Sequence, residues 1–270
     1  MLTKVVSLPG KWADLSSTGH PLSAYQALKA GGYVGVILDL ETQGWQTDYN
    51  NALAAGLGVM LNQGYWGPAW IDPAQAKLRA QYAVQQMRSV QYPLAGTVFL
   101  DCESMMALTP TAVLNWMNAW DAEVHANGYT ALGKYEGSGV PLTGQQWYSD
   151  LALTAHYWKS GSAVPMVAVR GYQVVQTRMT HLFDGVAIDD DEVGPDRLGG
   201  QAMAVVAPNA VPAPVITTST DWQPAVAALK QTVSDQATLI AKQNAALTTA
   251  TATIATLQRQ LTNAGKALQG

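Results

Sequence analysis

The sequence predicts an α/β protein, a TIM-like (β/α) barrel followed by a C-terminal coiled-coil helix. Short apolar runs alternate with helical stretches up to about residue 198, which is typical of parallel strands joined by crossover helices. The number of candidate strands, about eight, fits a closed barrel better than an open sheet. After this region the alternation stops, and a proline-containing stretch precedes a regular heptad pattern.

The predicted elements follow one another with recognisable boundaries. In chain order they are a strand and loop in KVVSLPGKWADLS, the helix PLSAYQALKAGG, the strand YVGVILDLE, the helix TDYNNALAAG, the strand LGVMLNQGYW, the helix DPAQAKLRAQYAVQQMRSV, the strand GTVFLDCES, the helix TPTAVLNWMNAWDAEVHANG, and candidate strands in YTALGKYEG, AHYWKSG, MVAVRGYQVVQT and DGVAIDDDEV. Asp72 and Thr109 are expected N-caps because a proline follows each of them, and Gly128 is an expected helix end.

The C-terminal quarter of the chain has a different organisation. We assign residues 1–198 to the barrel, 199–221 to a Pro/Ala-rich linker and 222–270 to a coiled-coil helix. One seam of that helix is apolar at every seventh residue and consists of Val226, Val233, Ile240, Leu247, Ile254, Leu261 and Leu268. This pattern predicts self-association, with dimer and trimer both open, and the alternative is a single helix that packs back on the barrel.

Composition excludes several classes of partner. Only 13% of residues are charged and the net charge is −4, so a nucleic acid is not expected as a partner. No apolar run has the length of a membrane span or of a signal peptide, and we therefore expect neither. A single cysteine rules out an intramolecular disulfide. No cofactor and no metal site are predicted.

Acidic residues follow several of the predicted strands. Asp14 ends the first strand, Asp39 and Glu41 end the second, and Asp101 and Glu103 end the fourth, while the last strand runs into Asp189, Asp190 and Asp191. Residues two apart in a strand point the same way, so Asp101 and Glu103 should share a face. One such acid alone is usually a helix cap or a solvated loop residue. Four acidic strand ends at one rim of a barrel predict a common acidic mouth.

Paired carboxyl groups suit glycoside hydrolysis, in which one group is protonated and the other ionised. The competing use of clustered carboxylates is Mg²⁺ or Ca²⁺ binding, although DDDEVGPD does not match a calcium loop. Aromatic residues beside the acids could form a groove for sugar rings, or could belong to the core. They include Trp12, Trp66, Tyr135 and Trp158.

Over residues 5–195 the sequence resembles the family-25 glycoside hydrolases, which are peptidoglycan-cleaving lysozymes, and the related glycoside-hydrolase-like domains of actinobacteria and their phages. The Asp-x-Ser motif of the lysozymes is matched by Asp14-Leu15-Ser16, and their central Asp-x-Glu motif by Asp101-Cys102-Glu103. Their closing Val-Asp motif is matched by Ile188-Asp189. A late Trp-Gln-Tyr-Thr element is matched only by Val175-Gln176-Thr177, and LDLETQG departs from the second-strand motif.

The resemblance implies roles for four carboxyl groups. Glu103 would be the general acid and Asp101 its electrostatic partner, while Asp14 and Asp189 would orient water or substrate or stabilise charge. The expected substrate-binding residues are Trp12, Glu41, Trp66, Tyr135, Trp158 and Gln176.

Two functions remain open from the sequence. The first is a muramidase whose partner is the bacterial cell-wall glycan. The second is a catalytically inactive barrel in an oligomeric virion tail or fibre protein, which would contact other virion proteins. Both are compatible with a virion-associated location, or with the host cytoplasm before lysis.

Overall fold

The computed structural model describes residues 3–15, 17–64 and 71–208. Its strands are β1 (Lys4–Ser7), β2 (Gly10–Leu15), β3 (Gly35–Asp39), β4 (Gly58–Gln63), β5 (Val98–Cys102), β6 (Leu132–Glu136), β7 (Thr154–Lys159), β8 (Val174–Phe183), β9 (Val186–Val193) and β10 (Met203–Val206). Its helices are α1 (Leu22–Ala30), α2 (Trp45–Ala54), α3 (Pro73–Ser89), α4 (Pro110–Ala126) and α5 (Gly144–Ser149). No helix among these residues is long and apolar enough to cross a membrane.

Within the described residues, eight strands close into a barrel, which confirms the predicted TIM-like architecture. From β2 to β8, each strand pairs in parallel with the next strand in the chain. Strand β9 closes the ring by pairing with both β8 and β2. Crossover helices α1 to α4 join the parallel strands and cover the outside of the barrel.

The expectation that all strands are parallel is wrong for β9, which runs antiparallel to both of its neighbours. The reason is the turn Asp184-Gly185, which leaves only two residues between β8 and β9. Both residues have positive φ, 48° and 81°, as a type I′ hairpin turn requires. A two-residue turn can join only antiparallel strands, so no crossover helix fits here.

The predicted first strand is two strands, and the predicted linker begins too early. Leu8 and Pro9 separate β1 from β2, and β1 pairs with β10 rather than entering the ring. Strand β10 lies inside the stretch 199–221 that we assigned to the linker, and Val205 also pairs with Val59 of β4. Burial of Ala204, Val205 and Val206 explains why these apolar residues belong to the barrel. The rest of the predicted linker and the predicted coiled coil lie outside the described residues.

The interior of the barrel is apolar at one end. Trp12, Ile37, Met60, Phe99 and Trp158 form its core, each from a different strand and each pointing inward. Glycines make room for two of these rings: a Cβ at Gly35 would lie 2.5 Å from the Trp12 ring, and one at Gly133 would lie 2.4 Å from the Phe99 ring. Large side chains therefore pack across the barrel only because neighbouring strands lack a side chain at the same level.

A second and larger core lies between the barrel and its helices. One ion pair is fully buried there: Lys134 of β6 contacts Asp121 of α4, and neither side chain is exposed. Asp121 also accepts a hydrogen bond from Thr154 Oγ1 at 2.8 Å. Such a pair fixes the position of a helix on the barrel, because either charge alone would be strongly destabilising there.

Two predicted helix N-caps are confirmed. The Asp72 side chain accepts a hydrogen bond from Ala74 N, and the Thr109 side chain accepts one from Ala112 N. The expected helix end at Gly128 is also confirmed, since this residue follows α4 with φ of 95°. These local signals place the helix starts correctly because capping depends on neighbouring residues alone.

Candidate functional site

The barrel interior becomes polar at the end where the parallel strands finish. Two residues beyond the core layer, the next inward-facing position of each strand carries a polar side chain. These residues are Asp14 in β2, Asp39 in β3, Asn62 in β4, Asp101 in β5 and Tyr135 in β6. These residues line a cavity of about 180 Å³. Its full lining in the described part of the chain is Asp14, Leu15, Asp39, Asn62, Asp101, Glu103, Tyr135, Trp158 and Asp189. The predicted acidic mouth is therefore present, and it contains five carboxyl groups.

Asp189 reaches this cavity from the middle of β9, not from a strand end as the sequence suggested. Because β9 is antiparallel to β2, Asp189 lies directly opposite Asp14 in the register. The Gln176 Nε2 donates a hydrogen bond to Asp189 Oδ2 at 2.6 Å, and the Thr180 backbone N–H donates to Oδ1. Two neighbours thus hold the Asp189 carboxylate in place.

Asp101 and Glu103 both line the cavity, so the prediction that they share a face is confirmed. Cys102 between them points outward into the helix-side core. The loop that carries Glu103 is held by two backbone hydrogen bonds, from Gly137 N to Cys102 O at 2.8 Å and from Ser104 N to Ser138 O at 2.7 Å. Burial raises the pKa of the Glu103 carboxyl, as a general acid requires.

Glu103 packs directly on Gly137. A Cβ at position 137 would lie 2.3 Å from Glu103 Cβ and 2.8 Å from its Oε2. Only glycine therefore leaves space for the observed position of this side chain. No feature of the sequence by itself indicated Gly137, because the contact depends on the register between β5 and β6.

Asp14 is the most strongly perturbed carboxyl group of the cavity. Its pKa is raised well above the usual range, first by burial and then by the charges of Asp191, Asp189, Asp39 and Asp101. A carboxyl group among several others retains its proton more readily, which separates the protonation states within the cluster.

Asp191, one of the acids predicted at the mouth, lies behind the cavity and had been assigned no catalytic or binding role. It is fully buried, and its Oδ1 accepts a hydrogen bond from Trp158 Nε1 at 2.7 Å. Its Oδ2 has no hydrogen-bond partner in the part of the chain that the structure describes. Burial, opposed by the Trp158 hydrogen bond, raises the pKa of Asp191 well above its usual range. The two-residue period of β9 could have predicted its inward position beside Asp189.

Asp39, one of the acids predicted at the mouth, lines the cavity, as does Asn62, and neither had been assigned a catalytic or binding role. Asp39 Oδ1 accepts hydrogen bonds from Glu41 N at 2.8 Å and from Gly64 N at 3.4 Å. Asn62 is only 8% exposed, and its Oδ1 has no hydrogen-bond partner among the described residues. Alternation along Gly58-Val59-Met60-Leu61-Asn62 was the available signal for this inward position.

The structure places the predicted substrate-binding residues differently with respect to the cavity. Tyr135 and Trp158 line the cavity, with their rings packed edge to face at 4.4 Å between centroids. Gln176 lies behind the lining, where it bonds Asp189, and its Oε1 accepts from Gly161 N at 2.7 Å. Trp66 lies outside the described residues.

Two of the predicted substrate-binding residues lie away from the cavity lining. Trp12 has no exposed surface and donates to the Leu8 carbonyl at 2.9 Å, so it belongs to the barrel core. Its position one layer below Asp14 follows from the two-residue period of β2. Glu41 accepts from Gln63 Nε2 at 2.6 Å and lies 3.7 Å from Arg79. Because Glu41 is two residues beyond the end of β3, it turns away from the barrel axis towards α3.

The carboxyl groups of the cavity are distributed around its wall. Among residues 3–15, 17–64 and 71–208, no three His, Cys, Asp or Glu side chains are arranged to hold a single metal ion. The arrangement suits a ligand that extends across the cavity and meets a different carboxyl group on each side.

Known proteins resemble this chain mainly in fold. The structure of the Tat-secreted protein Rv2525c of Mycobacterium tuberculosis, in complex with L-tartrate, matches with a TM-score of 0.53 and 13% identity, over 71% of this chain and 98% of that one. A Bacillus stearothermophilus protein matches with a TM-score of 0.54 and 16% identity, over 68% and 95%. A muramidase from Trichobolus zukalii matches with a TM-score of 0.50 and 16% identity, over 68% and 93%.

The comparison with curated proteins gives no match. The family described as Rv2525c-like, glycoside hydrolase-like domain matches residues 26–193, which is more than half of the chain and includes β3 to β9. The predicted resemblance to glycoside-hydrolase-like domains related to family 25 is thereby confirmed. This chain belongs to the Rv2525c-like, glycoside hydrolase-like domain family.

Proposed function

We propose that the barrel is a glycosidase that cleaves the glycan strands of peptidoglycan, with Glu103 as its general acid. The observation that carries this proposal is the convergence of Asp14, Asp39, Asp101, Glu103 and Asp189 on one cavity. Glycosidic cleavage requires one carboxyl group that retains a proton and a second that is ionised. The raised pKa of Glu103 supports the first role.

In the proposed reaction, Glu103 donates its proton to the glycosidic oxygen as the bond from that oxygen to the anomeric carbon breaks. Positive charge then develops on the sugar ring, and the Asp101 carboxylate stabilises it. Water adds to the anomeric carbon and its proton passes to a carboxylate of the cavity. Asp14 and Asp189 orient the water or the sugar, and Gln176 and Thr180 keep Asp189 in position for this role.

The fold of the neighbours supports the choice of substrate. The Trichobolus zukalii protein is a muramidase, and the modular autolysin LytC from Streptococcus pneumoniae shares the fold with a TM-score of 0.50 at 12% identity. This chain spans about 46% of the LytC chain. Half-buried Tyr135 supplies aromatic surface in the cavity, which suits contact with a sugar ring, and the buried Trp158 ring packs against it.

The test is release of reducing ends from purified peptidoglycan by the wild type and by Glu103→Gln. We expect release by the wild type and a loss of at least about 100-fold in the variant, since general acids contribute about 10²–10⁴-fold. Circular dichroism must show that the variant is folded. Equal release by both proteins would remove Glu103 from the mechanism, and no release by the wild type from several wall sources would contradict a glycosidase.

A second candidate is a glycan-binding barrel without catalysis, part of an oligomeric virion protein. The structural form of this candidate, which binds no glycan, is favoured by the burial of Trp12 and Trp158, which are 0% and 1% exposed and leave little aromatic surface for a sugar. Self-association through residues 222–270 and a virion location are predictions from the sequence. Sedimentation of the full chain tests the first of them, because a monomer at micromolar concentration would contradict a coiled-coil assembly.

A further inference from the structure

The charged groups that line the cavity are all acidic. Five of its nine residues carry carboxyl groups, and none of these lining residues within the described ranges is basic. The nearest lysines along the chain are engaged elsewhere: Lys134 pairs with Asp121 behind the barrel wall, and Lys159 Nζ donates to the carbonyls of Ser160 and Ser162 at 2.9 Å. A cavity of this kind repels anions and attracts cations.

Among the described residues, no three carboxyl groups are arranged around one point to hold a metal ion. The cation that fits is an organic one, large enough to contact several walls. The cavity has a volume of about 180 Å³, whereas most ligand pockets have volumes of about 300–1,000 Å³. It therefore suits a compact group such as a single sugar ring.

Asn62 provides an independent indication of a ligand with hydrogen-bond donors. It lines the cavity, is 8% exposed, and has no partner for its Oδ1 among the residues that the structure describes. A buried acceptor without a partner costs free energy, so a donor from the ligand would satisfy it. Ammonium, hydroxyl and amide N–H groups all supply such donors, but an N-acetyl group also brings a carbonyl acceptor beside the carboxylates, which a free amine does not.

We propose that the cavity binds an amino sugar with a free amino group, a glucosamine-type unit of a partly N-deacetylated glycan, in preference to its N-acetylated form. This inference rests on the proposed glycosidase function for its substrate class, but it concerns recognition rather than bond cleavage. The positively charged amine contacts the carboxylates of the wall, and a donor of the sugar reaches Asn62 Oδ1.

Binding is tested by titrating the full chain with two defined probes, the tetramer of glucosamine and the tetramer of N-acetylglucosamine, at pH 6 and low ionic strength. We expect the glucosamine tetramer to bind at least about tenfold more tightly, with the preference falling as salt is added. Asp39→Asn should reduce this preference about three- to tenfold, since the amide keeps the acceptor for Glu41 N but removes the charge. Glu192→Gln removes the same charge from an exposed position on β9 and should leave the preference unchanged.

Cleavage is tested separately, with one peptidoglycan preparation divided into N-deacetylated and fully N-acetylated portions. Faster cleavage of the deacetylated portion supports the inference. Equal cleavage of both portions with equal binding of both tetramers overturns it and leaves the glycosidase proposal intact. Tight binding of the glucosamine tetramer without any cleavage supports the recognition and contradicts the glycosidase. Absence of both binding and cleavage contradicts both.

Discussion

Asp14 and Asp189 lie directly opposite each other across the antiparallel pair of β2 and β9. Like charges at opposed positions of a sheet destabilise each other, and few proteins place them there without a purpose. The opposition contributes to the raised pKa of Asp14, after the larger effects of burial and of Asp191. The antiparallel pairing of β9 with β2 therefore affects the protonation of a carboxyl group in the cavity, because it places Asp189 opposite Asp14.

Asp191→Asn should lower the pKa of Asp14. Asp191 makes the largest contribution of any single charge to that pKa, second only to burial. The substitution removes the charge and retains the oxygen that accepts from Trp158 Nε1. We expect the pKa of Asp14 to fall towards its usual range, which carboxyl NMR titration of the wild type and the variant would measure. Asp184→Asn, in the exposed β8–β9 turn, is the control, and an unchanged pKa in Asp191→Asn would contradict the proposed coupling.

Gly137→Ala should displace Glu103. The added Cβ would lie 2.3 Å from Glu103 Cβ, so the side chain that carries the proposed acid must move. We expect kcat for peptidoglycan to fall about 10- to 100-fold with little loss of folding, because misplacement by about 1 Å has effects of that order. Gly194→Ala is the matched control, as nothing lies within 4 Å of its Cβ position. A fully active Gly137→Ala protein would show that the position of Glu103 is not critical.

Lys134→Met should destabilise the fold by about 3–5 kcal/mol, because Asp121 would remain as an unpaired buried charge. Lys77→Met removes the exposed partner of the surface ion pair with half-buried Glu123, at 3.5 Å, and should cost less than about 1 kcal/mol. Urea unfolding at pH 7 gives both free energies. Similar values for the two variants would mean that the Lys134–Asp121 pair is not energetically distinct.

Glu136 should make the stability of the barrel decrease with pH. Its side chain is fully buried and accepts from Tyr172 Oη at 2.8 Å, and burial raises its pKa to about 7. Between its unfolded pKa of about 4.3 and its folded pKa of about 7, the folded state binds more protons than the unfolded state. The contribution of this group to stability is therefore complete below about pH 4 and decreases by up to about 4 kcal/mol as the pH rises through 7.

Glu136→Gln should remove this pH dependence. The measurement is the difference in unfolding free energy between wild type and variant from pH 5 to 8, which cancels the opposite effect of His156, whose pKa burial lowers to about 4. The difference should shift in favour of the variant as the pH rises. Exposed Glu192→Gln serves as the reference, and a flat difference for Glu136→Gln would contradict the raised pKa.

Features that depend on neighbouring residues were predictable from the sequence. The helix caps at Asp72 and Thr109 and the shared face of Asp101 and Glu103 follow from local geometry, and all are confirmed. The acidic mouth was predictable for the parallel strands because their C-terminal ends meet at one rim. The set of residues that line the mouth was predictable only in part. Asn62, for example, carries no charge, so nothing distinguished it from a polar loop residue.

Features that depend on pairing between distant strands were not predictable in the same way. The sequence contains the Asp184-Gly185 pair, which is typical of a two-residue hairpin turn. Because all strands were expected to be parallel, this pair was not interpreted as a turn between antiparallel strands. Trp12 was assigned to the substrate because it lies close to Asp14 in sequence, whereas the alternation of β2 places it one layer deeper in the core. The position of Gly137 against Glu103 requires the register of β5 on β6, which no single segment contains.

The pairing of β1 with β10 has a consequence for how the protein folds. Lys4 pairs with Val206, so the first and last strands of the described chain form one ladder. A contact between residues so distant in sequence raises the contact order and slows folding, because the loop must close before the pairing contributes any stability. A chain still emerging from the ribosome cannot complete this ladder until β10 has been synthesised. The barrel should therefore mature late, after the last of its strands is released, and any pause before that point would leave β1 as an unpaired edge open to aggregation.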